Sequence, residues 1–175
     1  MAALWIAIIS LSAVAQTTQL ATLQHQDQVS IYYGAESLKE AVAAAADGDV
    51  ITLSAGQFDA VTFDKELTVR GAGMGIATAP GYSIPTVING SCLNTVPIKL
   101  ESLSIQKITV KNDVTFTKCK VESLSVYNAD TQANLTIIQS DTYLTTDSRY
   151  AKTLTAVNSK LESNRECLFL KMVDR

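Results

Sequence analysis

From Asp49 onward the chain is built of short runs, most of which place apolar, hydroxyl-bearing and apolar residues in a row. Val50-Ile51-Thr52-Leu53, Val61-Thr62-Phe63, Leu67-Thr68-Val69 and Thr86-Val87-Ile88 come first. Leu103-Ser104-Ile105, Ile108-Thr109-Val110, Val114-Thr115-Phe116, Leu124-Ser125-Val126, Leu135-Thr136-Ile137 and Leu154-Thr155-Ala156 follow. Successive side chains on a strand point to opposite sides, so the outer apolar pair faces a core and the hydroxyl faces water. Gly, Asn, Asp and Ser fill the gaps. The runs also recur on a longer scale. Lys99-Leu-Glu-Ser-Leu-Ser-Ile105 returns as Lys120-Val-Glu-Ser-Leu-Ser-Val126, Lys160-Leu-Glu-Ser163 opens the motif again, and Val114, Leu135 and Leu154 mark the same beat. A period near 20 with two or three very short strands in each predicts an all-β solenoid. A sandwich or up-and-down barrel prefers strands of about 5–6 residues and tight hairpins. Asn89-Gly90 is the one dipeptide here that reads as a hairpin turn between strands.

One segment has helical spacing instead. Leu38, Ala41, Val42, Ala45 and Ala46 form a single apolar stripe. Ser37 and Glu40 have the spacing of a capping box, and Gly48 suits the left-handed position after a helix end. Residues 35–49 are therefore expected to hold an amphipathic helix of about three turns. Residues 16–34 read as a polar, extended leader running into a first strand at Val29–Tyr33. Residues 1–15 contain the uncharged run Leu4–Ala15 and end in Ala13-Val14-Ala15. This is too short for a bilayer span of about 20 residues and has the length and small-x-small ending of a secretory signal peptide.

Residues 34–73 resemble a known opening. Gly34-Ala-Glu-Ser-Leu-Lys-Glu-Ala-Val-Ala43, then Asp47-Gly-Asp-Val-Ile-Thr-Leu-Ser-Ala-Gly-Gln-Phe58, then Leu67-Thr-Val-Arg-Gly-Ala-Gly73 look like the start of secreted parallel β-helix proteins of the pectate-lyase-like superfamily. The resemblance implies a single-stranded, right-handed parallel β-helix with an N-terminal capping α-helix. It implies no activity, because this opening precedes lyases, hydrolases and adhesins alike. A capping helix has a physical purpose, since a first coil otherwise exposes apolar core and unpaired strand edges. Residues 50–175 then give about six coils. Leu168-Phe169-Leu170 resembles one more strand close to Arg175, with no polar element after it. Three expectations fit that end: a terminal fold-over, truncation of a longer solenoid, or an open end that docks.

Charge narrows the function. Lys and Arg total 14 against 17 Asp and Glu, giving a net charge of −3. A sparsely charged, mildly acidic chain lacks the cationic surface that nucleic-acid binding requires. Cys92, Cys119 and Cys167 are odd in number with no CxxC spacing, and His25 is the single histidine, so no zinc site or cofactor is expected. Each cysteine reads as a buried hydrophobe, with a Cys92–Cys119 disulfide as the alternative in an oxidising compartment. Arg70 beside Gly71 reads as structural, and Gly71-Ala-Gly73-Met-Gly75 as a turn between coils. Asn89 and Asn134 open sequences of the N-glycosylation pattern.

No catalytic constellation stands out. The candidates are Glu101 and Glu122, which occupy matching positions of the repeated motif and would stack about 4.8 Å apart on adjacent coils. A solvated ladder with Lys99 and Lys120 is the ordinary account of them. Tyr127, Tyr143 and Tyr150 are candidates for sugar-stacking platforms. The expected function is a secreted, periplasmic or cell-surface scaffold of a Gram-negative bacterium, non-catalytic, binding polysaccharide along one sheet face. Two alternatives are the N-terminal part of a polysaccharide lyase or glycoside hydrolase, and an adhesin or assembly subunit that self-associates through its C-terminal end.

Overall fold

The structure is a computed structural model that describes residues 19–75, 85–127, 130–145 and 150–163. The chain winds into a mostly β, parallel solenoid of about five turns, with one short helix near its N-terminus. Before the solenoid come strands β1 (Leu20–His25) and β2 (Gln28–Tyr33), then α1 (Ser37–Ala44). The coils contribute β3 (Val50–Leu53), β6 (Thr68–Arg70), β8 (Ile98–Glu101), β10 (Val114–Thr117), β12 (Asn134–Ile138) and β14 (Thr153–Val157) to one long sheet. A second sheet takes β4 (Gly56–Asp59), β5 (Thr62–Phe63), β7 (Thr86–Asn94), β9 (Ser104–Val110), β11 (Lys120–Val126), β13 (Asp141–Leu144) and β15 (Lys160–Ser163). Irregular register within β7 and β11 bends the second sheet, so that the later halves of β7, β9 and β11 form a third wall.

The apolar positions of the short runs fall into inward columns. Leu23, Ile51, Val69, Leu100, Phe116, Ile137 and Ala156 lie side by side along the long sheet. Cys92, Ile108, Leu124 and Leu144 do so along the third wall. Most of these are fully buried. Each coil alone cannot cover its apolar interior, so stability comes from stacking on the next. The columns thin out at β14 and β15, where Leu154 and Leu161 are only partly buried. The segment 164–175, with Cys167 and Leu168–Leu170, lies outside the described residues, as does the signal-like segment 1–15.

The corners explain how strands this short can turn. Ser102, Lys118, Gln139 and Asn158 each have φ between 48° and 55°. One such left-handed residue per coil turns the chain from the long sheet into the second. At other corners side chains tie coils together. The Asn94 side-chain amide donates to the carbonyls of Val96 (3.0 Å) and Asn112 (2.9 Å). Asp113 accepts from the Asn134 backbone and side chain, and Asn134 in turn accepts from Thr153.

Two features of the N-terminal part depart from the sequence reading. Residues expected to be an extended leader contain β1, which pairs antiparallel with both β2 and β3. The hairpin turns at Gln26-Asp27, with φ 53° at Gln26 and no glycine to signal it. The helix is eight residues long and has no capping box: Glu36 is the N-cap without a side-chain bond, and Ser37 lies inside the first turn. The Ser37 hydroxyl is fully buried and has no hydrogen-bond partner among the described residues. Burial of Leu38, Ala41 and Val42 against the strands holds the helix instead. Ser37→Ala is thus expected to leave stability within about 0.5 kcal/mol of the original or raise it, where a formed box would lose about 1 kcal/mol. Urea unfolding checks this.

The far end of α1 is tied more firmly. Lys65 Nζ donates to the carbonyls of Val42 (2.7 Å) and Ala43 (3.0 Å), where a cation favours the helix dipole. The Asp49 carboxylate accepts from the Ala46 N–H at 2.8 Å and meets His25 Nδ1 at 2.8 Å. Burial raises the Asp49 pKa, but the Ala46 bond and the His25 contact outweigh it and hold the group below its ordinary 3.8. A depressed carboxyl stabilises the fold above its unfolded value and loses that contribution as pH falls through the folded one. The apparent stability should therefore decline below about pH 4, and Asp49→Asn should flatten that part of the curve. Urea midpoints measured against pH give the comparison.

Candidate functional site

The long sheet presents an outward face on which the hydroxyl positions of successive coils align. One row, set by strand register, runs Gln24, Val50, Thr68, Lys99, Thr115, Thr136 and Thr155. Beside it run Ile31, Thr22, Thr52, Arg70, Glu101, Thr117, Ile138 and Val157. Neighbours within a row stand about 4.8 Å apart, and the two rows are separated by two residues of strand, about 6.6 Å. β-Branching restricts χ1 on a strand, so each threonine offers a methyl and a hydroxyl from a small set of positions. From β10 to β14 the two rows carry no charged residue.

A shallow groove of about 270 Å³ flanks the first row across three coils. Leu67, Pro97 and Ile98 supply its apolar wall, while Thr68, Lys99 and Thr115 border it from the sheet. Glu66 and Asp113 add carboxylates, and Asp113 is already bonded to Asn134. Such a site can accept hydrogen bonds from, and donate them to, a polyhydroxylated chain lying along the solenoid axis. A second groove of about 280 Å³ lies between α1 and the β4–β5 turn, lined by Lys39, Val42, Asp64 and Lys65.

Glu101 and Glu122 do not come together. Glu101 closes β8 in the long sheet, beside Arg70 and Thr117. Its carboxylate takes the Arg70 Nε bond at 2.8 Å. Glu122 sits in β11 of the second sheet, 3.9 Å from Lys120. Lys99 likewise faces Thr115, and Lys120 faces Ser104 and Asp141. The expected Glu and Lys ladders are absent because this coil advances by 16 residues in register, whereas the motif repeats after 21. The later partner does fit: Lys120, Asp141 and Lys160 share a row.

The tyrosines are also dispersed. Tyr127 follows β11, with the Lys111 ammonium 3.9 Å from its ring centroid, a cation–π contact. Tyr143 lies in β13 opposite Glu162, and Tyr150 packs partly buried against the core before β14. The three thus belong to different segments, after β11, within β13 and before β14. Cys92 and Cys119 are free and buried, with burial pushing both thiols up to about 11, so the Cys92–Cys119 disulfide is not formed. Cys119 Sγ donates to the Leu100 carbonyl at 3.2 Å. The thiolate that reaction or metal binding requires is suppressed at both sites.

Among the described residues no three of His, Cys, Asp and Glu gather as a metal ion would require, and no helix is long and apolar enough to cross a membrane. The glycosylation-pattern Asn134 is committed to Asp113 and Thr153, while Asn89 is exposed and donates to Gln57. Sequence reasoning missed the groove, although Thr115 and Thr117 at alternate positions signalled the face beside it. Comparison with protein-family models, curated proteins and solved structures finds no match.

Proposed function

We propose that this chain is a secreted, non-catalytic β-solenoid scaffold that binds polysaccharide along the outward face of its long sheet. The alignment of Thr68, Lys99, Thr115, Thr136 and Thr155, the first three of which border the groove, is the observation that carries this reading. A polymer with a repeating unit gains from a binding surface that repeats, because each coil adds a weak contact along one chain. The held Arg70–Glu101 pair supports binding over acid–base chemistry, since Glu101 is engaged by a cation. Export rests on Leu4–Ala15 and its small-x-small ending. The likeness of residues 34–73 to the pectate-lyase-like superfamily supports a wall or surface context and leaves the ligand open.

A glycan-array measurement on the purified protein tests the reading, followed by titration of the best polysaccharide. Lys99→Ala and Thr115→Ala are expected to weaken binding about three- to tenfold each, the effect of one lost hydrogen bond, with unfolding midpoints little changed. Binding unaffected by both variants, or absent from the whole array, contradicts it. Cleavage of a bound polymer that is lost on Glu101→Gln would replace the scaffold with an enzyme.

A further inference from the structure

β2 is the last strand of the long sheet at its N-terminal end. It joins β1 through the two-residue turn Gln26-Asp27, with His25 opposite Gln28. Two-residue hairpins close on a hydrogen-bonded pair, and bonded and non-bonded pairs then alternate. Gln28, Ser30 and Tyr32 therefore direct their backbone groups to β1. The N–H and C=O groups of Val29, Ile31 and Tyr33 point the other way, into the open edge. The same three residues carry exposed apolar side chains, at 63%, 50% and 63% exposure. They stand on the outward side of the sheet, because Ile31 is opposite Thr22 while buried Ala21 and Leu23 are opposite Tyr32 and Ser30.

An edge like this is normally blocked by a charge, a proline or a bulge. β2 has none: its sequence is Gln-Val-Ser-Ile-Tyr-Tyr and its register with β1 is unbroken. We infer that β2 is a self-association edge, where a second copy of the chain pairs antiparallel about a two-fold axis through Ile31. The strand is self-complementary under that operation. Ile31 meets the second copy's Ile31, and Val29 meets its Tyr33, so all three open N–H and all three open C=O groups find partners. The absence of charge on β2 lets two copies meet without like-charge repulsion. The apolar side chains then merge into one patch of six residues across the junction.

The size of the contact sets its strength. Six residues a side is far below the about 20–30 of a standard interface, so the dimer is weak and reversible. Because both copies use the same surface, association closes at two and does not propagate. This proposal rests on β2 alone and uses a different edge from the C-terminal one, although Ile31 also closes the second outward row of the long sheet.

Analytical ultracentrifugation of the purified protein, from low micromolar to near-millimolar concentration, tests it. A monomer–dimer equilibrium is expected, weakened about tenfold or more by Ile31→Lys and by Val29→Lys, since a charge at an open edge blocks pairing. Both side chains are exposed, and an unchanged unfolding midpoint confirms that each variant folds. In parallel, hydrogen exchange at the Val29, Ile31 and Tyr33 amides should slow as concentration rises. A monomer throughout, a dimer that survives both variants, or open-ended growth overturns the proposal. Exchange at those amides that is slow at every concentration also overturns it, by showing the edge covered within one chain. So does exchange that slows only when another protein's strand is added.

Discussion

Phe116→Ala lowers the unfolding free energy by about 3–5 kcal/mol, the range for removing a buried aromatic ring and leaving a cavity. Phe116 is fully buried in β10, between Leu100 below and Ile137 above in the inward column of the long sheet. A globular core can collapse from several sides around such a void. A coil of this solenoid is held top and bottom by hydrogen-bonded strands, so its column cannot close up. The loss therefore weakens two stacking interfaces together, and in a nearest-neighbour stack that uncouples the coils on either side. Urea unfolding is expected to show a lower midpoint and a shallower slope, the sign that the coils no longer unfold as one unit. A change below about 1 kcal/mol with an unaltered slope would mean that Phe116 does not sit at a shared interface.

Asn94→Ala costs about 2–4 kcal/mol, because several buried polar groups lose their partner at once. The side chain is fully buried at the last residue of β7. Its amide donates to the Val96 and Asn112 carbonyls, and its oxygen lies 3.3 Å from the Lys111 N–H. Those contacts join one coil to the next, so they serve the stack and the turn together. Asn94→Asp keeps the shape but turns a donor into an acceptor aimed at carbonyl oxygens. A buried carboxylate in that position is destabilising when charged, so the Asp variant should be weaker at pH 7 than at pH 4 relative to the parent. Equal stability of Asn94→Ala and the parent in urea would remove Asn94 from the account of how coils are joined.

The sequence pattern and the structure agree where one physical rule acts alone. Val114, Leu135 and Leu154 were legible as equivalent because an apolar position must return to the core once per coil, and their strands do pair at those residues. The helix was legible from its apolar stripe. Its capping box was not real, because Ser37 is drawn into the buried face where its hydroxyl reaches no amide. Glu101 and Glu122 show where reading by repeats breaks down. Coil length is set by corner geometry, and the corners here use Ser102, Lys118, Gln139 and Asn158 in left-handed backbone that glycine would ordinarily advertise. With no glycine to mark the turns, a repeated motif looked like a repeated place. The same omission hid the hairpin at Gln26-Asp27, and with it the open edge of β2. The candidate binding face was legible only as alternating threonines; the groove beside it depends on Glu66, Pro97 and Asp113, which no local pattern brings together.

The stacked core and the outward face both depend on strand register, and disulfide trapping reads register directly. Lys99→Cys with Thr115→Cys puts two thiols on adjacent in-register strands, with Cα atoms within the span of about 4.4–6.8 Å that a disulfide bridges. Lys99→Cys with Lys120→Cys puts them where the sequence motif repeats but on different sheets. Mild oxidation followed by peptide mapping should find the 99–115 bond in the first variant and no 99–120 bond in the second. A 99–120 bond formed readily in the folded protein, with 99–115 unlinked, would contradict the register and the binding face built on it.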